Sequence, residues 1–199
     1  MEKEHKSLDA EFFNNMYQKN EDPWDFENSP YEKEKYKATL EIIPDRQYEN
    51  VFEVGCANGV LSEMLLSRSK NLLAVDASTI AVKNAKRRMV SYPFVRVMEM
   101  TIPYGFPDEK FDLILFSEVG YFLSEEDLII ARDKMIDALL PKGNLVLVHW
   151  TPFVEEFPLT GDRVHEIFKM SAGDNSSQSL IHISERIETQ YRMDLYEKR

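Results

Sequence analysis

Apolar and polar residues alternate along the chain with two different periods, and the change of period divides it. Over residues 7–19 (SLDAEFFNNMYQK) apolar side chains recur at Leu8, Phe12, Phe13 and Met16, the spacing of one helix face. A break follows, EDPWDFENSP, rich in Asp, Asn, Pro and Ser yet holding two large aromatics, Trp24 and Phe26. Helical spacing returns over 31–43 through Tyr36, Leu40 and Ile43 and stops before Pro44. From residue 51 short apolar runs take over: VFEV, LLAVD at 72–76, FVRVM at 94–98, FDLILFS at 111–117 and NLVLVHW at 144–150. Between them lie amphipathic segments that predict helices: GVLSEMLLSR, TIAVKNAKRRM, and EEDLIIARDKMIDALLP ending at Pro141. A helix near 160–172 and two strands within SLIHISERIETQYRMDLYEK complete the pattern.

Strands separated by helices imply parallel βαβ units, and two adjacent strands at the end imply an antiparallel hairpin. The expected fold is α/β: a doubly wound, Rossmann-like seven-stranded sheet, mostly parallel, with an antiparallel C-terminal edge hairpin. The chain reads as a single domain over 1–199, with an N-terminal helical arm or lid over 1–44 and an α/β core over 51–199.

Charge and cysteine usage narrow the partners. A formal net charge of −11 repels phosphate backbones and anionic membranes, so neither nucleic acid nor a membrane is expected as a partner. The one basic run, KNAKRRM at 83–89, spreads its charges around a helix and reads as a solvated face. No apolar stretch approaches the roughly 20 residues that span a bilayer. Cys56 is alone, which rules out an intrachain disulfide and a cysteine metal cluster. The opening MEKEHKSLDAEFFNNMYQ has no apolar signal core, and a cytoplasmic location is expected. His5, His149, His165 and His182 show no paired spacing, so no metal site is expected.

The chemistry gathers at VFEVGCANGV, residues 51–60, where a strand runs into two glycines four residues apart. Such a junction usually cradles a ligand. A dinucleotide loop wants G-x-G-x-x-G, but Ala57 and Val60 occupy its second and third glycine positions. The pattern is instead E-x-G-x-x-x-G, with Glu53 ahead of Gly55, and an acid there suits a cationic ligand such as S-adenosylmethionine. Asp76 ends the second strand, 21 residues after Gly55, where a carboxylate can accept both hydroxyls of a ribose. Its alternative reading is a cap on the helix starting near Thr79.

With these residues in place the chain resembles the class I S-adenosylmethionine-dependent methyltransferases. The stretches that carry the resemblance are EVGCANG at 53–59, Asp76, FDLILFSEVGYFL and the terminal hairpin. DPWDFENSPYEKEKY at 22–36, with SEVGYFL at 117–123, is similar to the NodS-type nodulation N-methyltransferases. The resemblance implies definite cofactor contacts. Gly55, Ala57 and Gly59 would approach the methionine portion, flanked by Cys56, and Asp76 would take the ribose, with Ala77 and Ser78 beside the adenosine. Thr101 stands where the family usually has an Asp for the adenine amino group, Ile102 offers its backbone N–H, and Ser117 borders the site. Lys35 falls where relatives place a cation for the methionine carboxylate, and Trp24 would belong to the same lid.

The acceptor would meet the cofactor at the carboxyl ends of the fourth and fifth strands. There stand Glu118 and Tyr121, from SEVGY, and His149, from VLVHW, as candidates for a base or an acceptor-orienting group. Tyr31, Phe122, Trp150 and Phe153 are candidates for the pocket wall. No N/D-P-P-Y/F turn follows the fourth strand, which argues against amino methylation of adenine, cytosine or protein glutamine. The expected function is methylation of a small-molecule acceptor, at nitrogen of an amine or aminosugar-like compound. O-methylation and cofactor binding without transfer are the alternatives; an NAD-dependent oxidoreductase is disfavoured by the missing glycines. A monomer or homodimer is expected.

Overall fold

The apolar runs become the seven strands of one sheet in a computed structural model that describes residues 6–173 and 178–199. They are β1 Tyr48–Val54, β2 Ser69–Asp76, β3 Val95–Glu99, β4 Phe111–Ser117, β5 Leu139–Trp150, β6 Leu180–Ile187 and β7 Tyr191–Lys198. Among the described residues the α-helices are α1 Ala10–Lys19, α2 Pro30–Ile42, α3 Val60–Leu65, α4 Thr79–Arg88, α5 Glu125–Ala138 and α6 Gly161–Lys169, with short 3-10 turns at Leu66–Arg68 and Gly120–Phe122. Among the described residues no helix is long and apolar enough to cross a membrane.

Strand order is β3-β2-β1-β4-β5-β7-β6, with the first five parallel and β7 antiparallel to both neighbours. The last strand therefore inserts beside β5, and β6 forms the edge. Both faces of the central strands are covered, which is why those strands read as continuous apolar runs. Phe52, Val54, Ile114, Phe116, Leu145 and Leu147 face a core shared with α5 and α6. Val51, Leu113, Leu115, Val146 and Val148 face the other core, shared with α2, α3 and α4.

The helix starts follow their caps. Ser29, Ser78, Ser124 and Thr160 each accept a first-turn backbone N–H at the N-termini of α2, α4, α5 and α6. Boundaries differ from the sequence reading at β1 and β2, which begin at Tyr48 and Ser69 and not at 51 and 72, and at α5, which stops at Ala138 and not at Pro141, so that Leu139 already belongs to β5. The ladder shifts register there, with Phe111 opposite Leu139 and Leu113 opposite Asn144, and Lys142 takes a φ of 65°. The KG turn is an irregularity inside a strand.

The sheet reverses its winding between β1 and β4, and ligands in such folds sit beyond the carboxyl ends at that point. The N-terminal arm lies across this opening. Leu8 N–H donates to Phe122 O at 2.8 Å, Asn14 accepts the Ser78 hydroxyl at 2.8 Å, and the Asn58 amide holds Glu21 O at 2.9 Å. Asp22 folds the DPWDF segment by accepting the amides of Phe26 and Glu27, each at 3.0 Å.

Candidate active site

The loop after β1 is built for close approach. Gly55 has φ of +82°, and a Cβ there would lie 2.2 Å from Val119 Cγ2. Only glycine lets this loop pack against the one after β4. The Gly55 and Cys56 amides both donate to Val75 O, at 2.8 and 2.9 Å. Ala57 takes a φ of 48°, unusual for a residue with a side chain. Its amide is held by Asp76 Oδ2 at 3.0 Å, while Ser78 N–H donates to Asp76 Oδ1 at 2.8 Å. One carboxylate thus ties together the loops after β1 and β2. Burial raises the Asp76 pKa to about 6 despite these amide bonds.

A cavity of about 410 Å³ lies between these loops and the arm, within the usual range for a small-molecule site. Gly55, Ala57, Asp76, Ala77, Thr101, Ile102 and Ser117 line it from the sheet, and Trp24 and Lys35 from the arm. Glu53, Cys56, Gly59 and Ser78 lie outside its wall and shape it from behind. Glu53 is fully buried and accepts the Ser62 hydroxyl; burial lifts its pKa to about 7. The expectation that Glu53 meets a cationic ligand is corrected by this position. Cys56 is buried with its amide on Val75 O, and burial pushes its thiol pKa up. Gly59 caps α3 at φ +78°, and Ser78 caps α4, accepting from Ala81 N–H.

The cavity wall also carries a charged cluster, Glu32, Lys35 and Glu118. Lys35 Nζ lies 2.6 Å from Glu118 Oε1 and 3.1 Å from Glu32 Oε1, and 5.3 Å over the Tyr31 ring. Burial opposes the ammonium, but the two carboxylates outweigh it and hold the Lys35 pKa above its ordinary value. Glu118, at a φ of 58°, accepts the Tyr121 hydroxyl at 2.6 Å and the Trp150 amide at 2.9 Å through Oε2. The Tyr31 hydroxyl is buried without a partner beside this group. Trp150, Val154 and Phe157 continue the wall, with the Phe157 ring stacked on Tyr121 at 5.0 Å.

His149 does not belong to the cavity. Its side chain is fully buried, and both ring nitrogens are engaged: Nε2 accepts Gly120 N–H at 3.1 Å and Nδ1 faces His165 Nε2 at 3.2 Å. Burial first, then His165 and Lys35, push its pKa well below the ordinary value. The expectation of a base at a strand end is corrected by strand alternation. Residue 149 shares a face with Leu145 and Leu147, beneath α6, and β5 runs on to Trp150. Phe153 is exposed and outside the wall, whereas Tyr31, Phe122 and Trp150 line it.

Several lining residues were not anticipated: Phe13, Tyr17 and Phe26 from the arm, Glu32, Met100 and Phe157. Glu32 had a readable signal, since it sits three positions before Lys35 on one helix face. One cluster bears on the metal expectation. His182, Glu185 and Asp194 bring ligand atoms within 4.8 Å of one another, because β6 and β7 are paired. Arg192 already supplies positive charge there, at 2.9 Å from Asp194 and 3.4 Å from Glu185. His5 lies outside the described residues.

Strand order, glycine loop and the Asp76 clasp define a class I methyltransferase fold. The crystal structure of N-methyltransferase NodS from Bradyrhizobium japonicum WM9, in complex with S-adenosyl-L-homocysteine, superposes with a TM-score of 0.79. It is 23% identical, over 92% of this chain and 98% of that one. A Pseudomonas syringae protein described as a candidate methyltransferase is 34% identical, with a TM-score of 0.72, over 84% of this chain and 99% of that one. The chain belongs to the Nodulation protein S (NodS) family, whose model matches residues 12–151. Nodulation protein S of Rhizobium tropici is 28% identical over 128 residues, which make up 63% of this chain and 54% of that protein. The match thus spans about half the length of this curated relative.

Proposed function

We propose that the chain is an S-adenosyl-L-methionine-dependent methyltransferase acting on nitrogen of a small amine or aminosugar-like acceptor. The residues present fit the cofactor. Gly55 and Ala57 leave the loop backbone open to the cavity, and Asp76 presents a carboxylate for ribose hydroxyls. Thr101 and Ile102 line the cavity on the adenine side, and Trp24 covers it. When bound, the cofactor supplies an electrophilic methyl group on a sulfonium that leaves as a neutral sulfide.

The observation that carries the acceptor class is the charge balance around Lys35, whose ammonium is engaged by two protein carboxylates and not held free for the methionine carboxylate expected of it. Two carboxylates, Glu32 and Glu118, meet one cation, Lys35, so the cluster is negative by one when all three are ionised. The Lys35 ammonium, clasped by carboxylates and set over the Tyr31 ring, is itself a sample of the head group this part of the wall accommodates. An incoming amine must offer a free lone pair, and carboxylates at its side favour the positive charge that develops as the new N–C bond forms. Tyr121 and Glu118 orient that nitrogen; the arm and Phe157 keep water out.

Thermal unfolding with S-adenosylmethionine, S-adenosylhomocysteine and NAD tests the cofactor, since only a ligand of the folded state raises the midpoint. A panel of small amines, aminosugars and matched alcohols, scored by S-adenosylhomocysteine formation, tests the acceptor. Turnover of alcohols in preference to amines refutes N-methylation. Cofactor binding without turnover of any acceptor favours the binding-only reading, to which Thr101, in place of a carboxylate, lends support.

A further inference from the structure

His149 was expected to meet the acceptor, and its actual surroundings suggest another task. It begins a chain of hydrogen bonds through three elements. His149 on β5 faces His165 on α6 at 3.2 Å, and His165 Nδ1 meets the Asp194 carboxylate on β7. Asp194 is held further by Arg192 Nε at 2.9 Å and by His182. All three central side chains are fully buried.

The direction of this chain is determined at one end. Gly120 N–H can only donate, so His149 Nε2 must be its unprotonated nitrogen and the ring proton sits on Nδ1. That proton points at His165 Nε2, which must accept, and so the His165 proton sits on Nδ1 and points at Asp194. Every donor then has an acceptor, and both rings are neutral. Burial lowers the pKa of each ring, in agreement with that state. Protonating either ring would set two N–H groups against each other.

The anchored end is the turn that carries the acceptor-side residues. Gly120 opens the 3-10 turn Gly120–Phe122, and a Cβ on it would lie 2.9 Å from His149 Nε2 and 2.6 Å from Val164 Cγ1. Tyr121 packs edge-on to the His149 ring at 5.6 Å and donates its hydroxyl to Glu118. Two leucines would fill the same space without desolvating polar groups; what the imidazoles add is direction. We infer that His149 and His165 are positioning residues: the chain from Asp194 fixes Gly120, and through it the placing of Tyr121 and Glu118 against the acceptor. This inference rests on the methyltransferase reading of the cavity only for its kinetic consequence.

Long-range proton–nitrogen correlation on protein carrying labelled histidine tests the chain without any substitution. The expected result is a proton on Nδ1 alone in both His149 and His165 at neutral pH; a proton on Nε2 of His149 overturns it. Two variants then separate direction from packing. His149→Gln can accept from Gly120 and donate to His165, and is expected to stay within about threefold of wild type in acceptor kcat. His149→Leu is expected to lower kcat about tenfold to a hundredfold, the range for misplaced reacting groups, with S-adenosylhomocysteine affinity unchanged. Hydrogen exchange at Gly120 should quicken in the Leu variant and not in the Gln variant. Equal behaviour of the two folded variants in exchange overturns the inference. A wild type that binds no cofactor defeats the methyltransferase reading, while ring protonation and exchange still decide the hydrogen-bond chain.

Discussion

Lys35 on α2 and Glu118 beyond β4 meet at 2.6 Å, with only 3% of the lysine and 17% of the glutamate side chain exposed. The contact fastens the N-terminal arm to the sheet and balances a carboxylate that would otherwise be desolvated alone. Removing one partner of such a pair leaves a buried charge without compensation. Lys35→Met should therefore destabilise the fold by about 3–5 kcal/mol. Adding Glu118→Gln to it should recover part of that loss. Denaturant unfolding of the two single variants and the double variant measures the coupling; additive effects would show that the pair contributes nothing.

Asp76 governs cofactor affinity in the proposed reading. Asp76→Ala should weaken S-adenosylmethionine binding at least about tenfold, roughly 1.4 kcal/mol, since bonds to charged acceptors are the stronger ones. The wild type should also bind more weakly as pH falls through about 6, where the raised pKa puts protonation of this carboxylate. Titration calorimetry from pH 5 to pH 8 checks both. An affinity that ignores pH and the substitution removes Asp76 from the site.

Glu53 has the opposite consequence for stability from an ordinary paired acid. Its folded pKa of about 7 stands above the ordinary 4.5, so the folded state binds the extra proton between those values. Stability contributed by the neutral form is complete below about pH 4.5 and is lost as pH rises through 7. The full shift corresponds to about 3 kcal/mol. Glu53→Gln keeps an acceptor for Ser62 and carries no charge, so it should stabilise the protein at pH 8 and be neutral at pH 4. Thermal midpoints at the two pH values test this; a variant destabilised at pH 8 would mean that the ionised acid is held favourably.

The arm closes the cavity through Leu8, Phe13, Tyr17, Trp24 and Phe26. Deleting residues 1–28 spares Ser29, the cap of α2, and all seven strands. The truncated protein should retain its α/β circular dichroism and lose most of its cofactor affinity. Full affinity after truncation would show that the arm is no lid.

The strands were legible because burial on both faces leaves FDLILFS and NLVLVHW no room for polar residues. The end of α5 was less so: apolar Leu139 and Leu140 suit a helix end and a strand start equally, and the irregularity at Lys142 depends on its partner strand. Two terminal strands declared a hairpin, but not that the second would take the inner place. At the site, Asp76 and Gly55 could be read from their spacing at the ends of strands. Nearness to the strand end suggests the cleft for His149, whereas counting in twos from Leu145 and Leu147 puts it under α6. Glu32 can be read from its place three residues before Lys35 on one helix face, but only the fold brings Glu118 to the other side of Lys35.

The inner place of β7 sets an order of assembly. When the growing chain has been made only as far as β5, the row of backbone groups that will pair with β7 is open, and its flanking residues are apolar on both sides. Asn144 must wait for Glu197, and Trp150 for Tyr191. Such an exposed template invites pairing with another nascent copy. The same strand delivers Asp194, so the edge is sealed and the hydrogen-bond chain to Gly120 is completed in one event. A partly synthesised chain therefore lacks this support for its acceptor side.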